Sequence, residues 1–332
     1  MVDLKSTLSH PHDRSMTRHQ RLQAALRGEW LDRVPVAAWM HFGSEHLSAR
    51  NTAYLHARFQ QTYDWDWVKV MADYHFELPD DVWSFDCLKK LEQIAKPSRF
   101  SLCFEQQSQC IVELKNELGL GVPLFDSGYS PYQMLLRHIG HDQSVYLLQH
   151  PHWTLDFLLA LEDSICNHIA DLKSLGITGY FHSTHAAVPI DQVGGMSDEV
   201  YERFVRPFDL KILQAAKGMI RILHAHGSGI DLDRLADYPF EVIHLADRER
   251  SNPDLSDLQH WTGACVMGGI DAGGFSKASR AGLARQMDDA MAQTGGRRFM
   301  LAPGCVVSSS SSASSLHFLR RYSELGSSMK IR

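Results

Sequence analysis

Short apolar, β-prone runs alternate along the chain with polar or glycine- and proline-containing breaks. Between them lie longer stretches whose apolar residues recur at helical spacing. Eight such runs stand out, at 34–42, 67–72, 121–125, 179–182, 220–224, 241–246, 264–269 and 298–302. Amphipathic stretches at 154–175, 197–217 and 279–294 fit between them as helices. Parallel strands need crossover connections, so this alternation predicts a parallel sheet, and eight strand–helix units close into a (β/α)8 TIM barrel. An open doubly wound sheet would need a glycine-rich phosphate loop after its first strand; Gly43-Ser44-Glu45-His46 stands there instead.

The flanking segments complete this expected α/β fold. Residues 1–16 read as a flexible N-terminal arm and 17–332 as a single barrel domain. A first helix is expected with Ser15 or Thr17 as its cap, Leu22, Ala25 and Leu26 on one face, and Gly28 at its end. The long interval 77–120 reads as an insertion between the second and third strands, carrying a helix and a hairpin.

In such a barrel, catalytic groups come from the C-terminal ends of the strands and the loops that follow. Nearly every expected strand end carries a metal-capable or acid–base side chain. Trp39 and His41 end the first, His75 follows the second, Tyr129 the third, and His182 and His185 the fourth. His224 and His226 end the fifth, Asp247 the sixth, Asp271 the seventh, and Cys305 the eighth. Side chains two apart on an extended segment share a side, so His224 and His226 can face one ion. With Cys305 they form a nitrogen and sulfur set that suits Zn²⁺ and leaves a fourth position for substrate. Each residue also has a plainer reading. Histidines are abundant here, 19 in 332 residues. His41, His75, His182 and His185 read more readily as hydrogen-bonded pocket residues than as ligands, and Asp247 and Asp271 as caps or as partners of Arg248 and Lys277.

Composition narrows the class. The net charge is −6 and no long basic run occurs, which argues against nucleic acid as a partner. The polar start lacks the apolar core of a signal peptide, and no apolar run reaches the roughly 18–20 residues that span a bilayer. A cytoplasmic protein without membrane contact is expected. Six cysteines form no close pair; Cys103, Cys110, Cys166 and Cys265 read as core thiols.

Four segments resemble the uroporphyrinogen decarboxylase-like superfamily of (β/α)8 barrels, on its methyltransferase side. They are TRHQRLQAALRGEWLDRVPV at 17–36, YDWDWVKVM at 63–71, His224 to Gly227 with 231–240, and GGID at 268–271 through GGRRFMLAPGC at 295–305. The resemblance implies a zinc-dependent transfer of a methyl group to a metal-activated thiol. The donor would be a methylated corrinoid on a partner protein or a small methylated compound. It also implies metal ligands at His224, at 226 and at Cys305, where relatives carry H-x-C and a P-G-C turn; here His226 replaces the first cysteine. His182, His185 and Asp247 become the acid–base or ligand-supporting groups, and Trp39, His41, His75 and Tyr129 the substrate pocket. Partners are then a small-molecule substrate and a corrinoid protein, with a homodimer as one option. Two departures keep alternatives open. A serine run, 308–312, replaces a proline-rich turn, and no arginine follows the first strand, unlike the decarboxylases. A metal-assisted lyase or hydrolase, or a non-catalytic ligand-binding barrel, therefore remain competing readings.

Overall fold

A computed structural model describes residues 15–76, 100–140, 144–192 and 195–328. Its centre is a curled, TIM-like parallel sheet of seven strands, paired in sequence order. They are β1 (Val68–Val70), β2 (Leu124–Tyr129), β3 (Gly179–Thr184), β4 (Ile220–Ala225), β5 (Val242–His244), β6 (Cys265–Ile270) and β7 (Phe299–Pro303). The helices that cover it include α1 (Arg18–Arg27), α2 (Ala49–Tyr63), α3 (Ser101–Leu118), α4 (Pro131–Ile139), α5 (Pro151–Ser174), α6 (Arg206–Ala215), α7 (Leu255–Thr262), α8 (Arg280–Thr294) and α9 (Ala313–Ser328). None of the described helices is long and apolar enough to cross a membrane. The expected arm at 1–16 lies almost wholly outside the described residues.

The local chemistry explains the elements. Thr17 caps α1 with a reciprocal capping box to Gln20, and Gly28 ends the helix in the left-handed region. Ser279 caps α8 by accepting from the Gly282 amide, and Ser312 does the same for α9 through Ser315.

Three expectations need correction. The run 34–42 forms no strand among the described residues; it makes one parallel bridge, Val36 to Leu301. Pro35 lacks a donor, and the Val36 amide goes to the Asp66 carboxylate at 2.8 Å instead of to a neighbouring backbone. The third strand starts at 124, not at 121, and runs on to 129, past the end of the expected run 121–125. Its polar groups are satisfied: Asp126 accepts from Gln107 at 2.7 Å and meets His168 at 3.0 Å, and Ser127 donates to Val70 at 2.6 Å. The stretch 197–217 is not one regular helix, because a π-helical turn, Tyr201–Val205, precedes α6. Within the interval read as an insertion, 101–118 is the helix α3, packed on α2. The expected hairpin falls on residues outside those described.

Register fixes which side chains share a face. Parallel partners Lys69 and Phe125, Ser127 and Phe181, Ser183 and His224, and His224 and His244 lie in rows across the sheet. The odd-numbered residues of β3 thus face the same interior as His224.

Asp66 ties this frame together. Its buried carboxylate takes Arg21 at 2.6 Å, the Arg33 guanidinium and the Val36 amide, while its own amide donates to the Val36 carbonyl at 3.0 Å. Replacing Asp66 by alanine leaves the little-exposed Arg33 without its counter-charge and Arg21 with Asp32 alone. The expected loss is about 3–5 kcal/mol, read from urea unfolding of the variant against the parent.

Candidate metal centre

The site forms at the C-terminal ends of β4 and β7. His224 is the inward residue near the end of β4, and His226 follows on the same side. Gly227 comes next with φ 125°, and a Cβ there would sit 2.5 Å from Val188, so the chain turns at that point only with glycine. Cys305 follows β7 by two residues. A Cβ on Gly304 would stand 2.6 Å from the Ala246 Cα, so glycine is what lets this loop close down on the segment that follows β5. The loop is held by Gly304 donating to Ile270 at 2.9 Å and Val307 donating to Trp39 at 3.0 Å.

These elements converge three donor atoms. His224 Nε2 and His226 Nδ1 are 3.3 Å apart, Cys305 Sγ is 3.7 Å from His226 Nδ1, and all three atoms lie within 4.8 Å of one another. A tetrahedral zinc with Zn–N of roughly 2.0–2.1 Å and Zn–S of roughly 2.3 Å has N···N edges of about 3.3 Å and N···S edges of about 3.6 Å. The two resolved edges match those values. Protonation agrees: burial, then His244, His226 and Lys69, push His224 well below its ordinary range. Burial, then Lys69, lowers His226. Neutral imidazoles are the form a metal binds. The residues present therefore fit a zinc ion.

Around this trio the sequence-derived candidates divide. His185 stacks on His226, with centroids 4.5 Å apart and planes at 16°. Trp39 is buried beneath the centre, its ring 5.4 Å from His244 and 5.6 Å from Phe181. His41 lies at the rim, its Nδ1 2.7 Å from Asp73, whose other oxygen accepts from Ser44 at 2.7 Å. Burial raises the Asp73 carboxyl, but the bonds from His41 and Ser44 outweigh it and hold it below the ordinary range.

Other candidates lie elsewhere. His182 faces the helices, not the interior, because strand alternation puts it opposite Phe181; its Nε2 meets Asp209 at 2.9 Å. Asp247 accepts from the Gly269 amide at 2.8 Å and pairs with Arg248, fastening β5 to β6; burial pushes its carboxyl up to about 6. His75 and Tyr129 line a cavity of ≈ 30 Å³ with His138 and Arg137, and Arg137 stacks on the Tyr129 ring at 4.4 Å. That space suits a water, not an organic substrate. Cys166, expected in the core, is half-buried; Cys103, Cys110 and Cys265 are buried.

Two residues were missed. His244 is fully buried, its ring 4.6 Å from His224, with Nε2 held by the Pro303 carbonyl at 2.9 Å; burial pushes it down to about 3. Lys69, also buried, places Nζ 3.9 Å from the Phe181 ring centroid and 5.3 Å from that of Trp39. Burial pulls its ammonium down to about 8, against the raising influence of Cys305 and Asp73. Alternation along the runs 67–72 and 241–246 carried the signal for both, since each is a polar residue on the face its apolar neighbours Trp67 and Val242 take.

Two outcomes are expected. Gly304→Ala pushes the Cys305 loop off Ala246, and metal affinity falls at least about 10-fold, read by competition with a chromogenic chelator. For Lys69, the unfolded chain titrates at its ordinary 10.5 and the folded one at about 8. Between these values the unfolded state holds a proton the folded state has lost, so this group makes stability rise with pH across the window. Lys69→Met removes that rise, seen in the difference between the two proteins' unfolding free energies at about pH 7 and about pH 10.

No curated protein matches the sequence. Among solved structures, a methyltransferase from Methanosarcina mazei is similar, with a TM-score of 0.70 over 94% of this chain and 99% of that one, at 15% identity. A B12-independent methionine synthase from Shewanella sp. W3-18-1, in complex with selenomethionine, gives a TM-score of 0.52 over 90% and 94%, at 12% identity. At these identities the similarity establishes the fold. The family description "Uroporphyrinogen decarboxylase (URO-D)" matches residues 84–322, well over half of the sequence. The chain belongs to the uroporphyrinogen decarboxylase (URO-D) family.

Proposed function

We propose that this protein is a zinc-dependent methyltransferase that moves a methyl group from a methylated corrinoid, or a small methylated donor, to a thiol. The reading rests on one observation: the 3.3 Å and 3.7 Å spacings among His224, His226 and Cys305. The names of the two similar structures, a methyltransferase and a methionine synthase, support methyl transfer as the reaction class.

The scaffold is read as a single (β/α)8 barrel domain from residue 17, with the segment 34–42 as its eighth stave. In support, the backbone around Val36 bonds to Leu301 of β7 on one side and to Asp66, just before β1, on the other. In this reading His224, His226 and Cys305 hold the metal and leave the fourth tetrahedral position to the substrate sulfur. Bound zinc supplies Lewis acidity that favours the thiolate at neutral pH. His185 keeps the His226 ring in place by stacking. His41, aligned by Asp73 through Nδ1, is the rim base that accepts the thiol proton at Nε2. Trp39 gives the pocket an apolar floor that excludes water. His182 and Asp247 hold the β3–α6 and β5–β6 contacts, and Tyr129 and His75 shape the wall beyond the rim. A corrinoid-carrying protein would be the partner that delivers the methyl group.

Metal analysis of protein purified without added metal is expected to give about one zinc per chain, with His226→Ala and Cys305→Ala depleted. Methyl transfer from methylcob(III)alamin to a small thiol, followed by the corrinoid spectrum, should fall at least about 100-fold in Cys305→Ala. Parent protein and His226→Ala both lacking stoichiometric metal would remove the proposal. The Asp73-aligned His41 also suits a metal-assisted lyase or hydrolase; turnover without any thiol acceptor would favour that reading.

A further inference from the structure

His226 and Cys305 come from strands that are not neighbours: β5 and β6 stand between β4 and β7 in the sheet. Among the described residues no backbone hydrogen bond joins the loop of His226 to the loop of Cys305. Yet His226 Nδ1 and Cys305 Sγ lie 3.7 Å apart. The sheet fixes where the two loops start; what brings their donor atoms together lies between them.

Asn252, in the segment that follows β5, occupies that place. Its side-chain amide donates to the Gly227 carbonyl at 3.0 Å and to the Ala246 carbonyl at 3.1 Å. Its oxygen accepts from the Ile230 amide at 3.2 Å. Two carbonyls and one N–H as partners leave a single orientation for the group. Gly227 is next to His226 in the chain. Ala246 is the residue on which Gly304 rests, since a Cβ on that glycine would stand 2.6 Å from the Ala246 Cα, and Gly304 precedes Cys305. The link thus runs from His226 through Gly227 to Asn252, on to Ala246, and across to Gly304 and Cys305. Nearby bonds serve other ends. The Glu249 amide also reaches the Ala246 carbonyl, at 2.9 Å, but it closes the turn within the same segment. Ser251 accepts from the Gly229 amide at 3.0 Å, further along the chain from the ligand.

A short primary amide combines two N–H donors with an oxygen acceptor; aspartate of the same shape would turn only acceptors toward the two carbonyls. We propose that Asn252 is a positioning residue of this site: its amide ties the carbonyl beside His226 to the backbone under the Cys305 turn, and so holds the imidazole against the sulfur. The inference rests on the reading of the trio as a metal centre, but it concerns a residue that touches none of the three ligands' side chains.

Asn252→Asp and Asn252→Ala test it on the full chain. Aspartate keeps the shape and the bond from Ile230 but loses both donors; alanine loses all three bonds. Both variants should bind cobalt(II) at least about 10-fold more weakly than the parent, as loss of an outer partner does. Their cobalt ligand-field bands should also shift, because the sulfur moves relative to the two nitrogens. A variant that was merely less stable would keep the parent's band positions in its folded fraction. In metal-free protein, hydrogen–deuterium exchange at the Gly304 and Val307 amides, which Asn252 does not touch, should quicken about 10-fold. Gly304→Ala acts on the same contact. Combined with Asn252→Ala, it should weaken metal binding by less than the product of the two separate effects.

If the parent binds neither zinc nor cobalt while exchange at Gly304 and Val307 responds to both substitutions, the metal reading fails and the positioning role stands. Exchange at the parent's rate in both variants overturns the inference. So does an unchanged cobalt spectrum, an aspartate variant that matches the parent where alanine does not, or fully multiplicative effects in the double variant.

Discussion

The buried carboxylate of Asp66 sets the geometry on which the centre depends. It neutralises Arg21 from α1 and Arg33 from the segment ahead of the sheet, and it accepts the Val36 amide. Val36 is thereby fixed against Leu301 of β7. Three residues further along, the Trp39 carbonyl receives the Val307 amide, which anchors the loop that carries Cys305. One charge cluster at the N-terminal side of the sheet thus bears, through a few covalent links, on the sulfur at its other end. A buried carboxylate shared by two guanidiniums is costly to assemble and costlier to break. That asymmetry gives the segment 33–39 one position instead of several, without the regular ladder of a strand.

The interior that this frame encloses is unusual for a barrel core. Packed barrel interiors are filled by branched apolar side chains. Here His224, His244 and Lys69 point inward beside Phe181 and Trp39, and each is held away from its charged or solvated state by burial. His224 and His244 are driven to the neutral form. The Pro303 carbonyl holds one nitrogen of His244 and with it the ring that backs His224. That contact limits how far the His224 ring can turn.

Much of this was legible in the chain. The apolar rhythm located the seven strands that form, because burial on both faces of a parallel sheet demands such runs. The spacing of His224 and His226 on an extended segment was enough to put them on one side. The stretch 17–36 was readable as a motif but not as a mechanism: nothing local says that Arg21 and Arg33 converge on Asp66, which lies 30 residues or more away in sequence. Polarity misled where tertiary partners satisfy it. Asp126 and Ser127 stood just past the expected third run and lie inside the strand, since Gln107, His168 and Val70 supply their bonds. His182 looked like a pocket residue and faces Asp209, because one step along a strand reverses the face. The same parity, applied to Lys69 and His244, would have found the two groups that were missed.

The resemblance to relatives with H-x-C implies a cysteine where this chain has His226, a difference that bears on the electrostatics around Lys69. A zinc held by one imidazole and two thiolates is neutral overall; held by two imidazoles and one thiolate it keeps a single positive charge. Such a centre polarises a fourth ligand more strongly, favouring its anionic form at the expense of nucleophilicity. The buried ammonium nearby adds in the same direction, and both charges are amplified by the low dielectric of the interior.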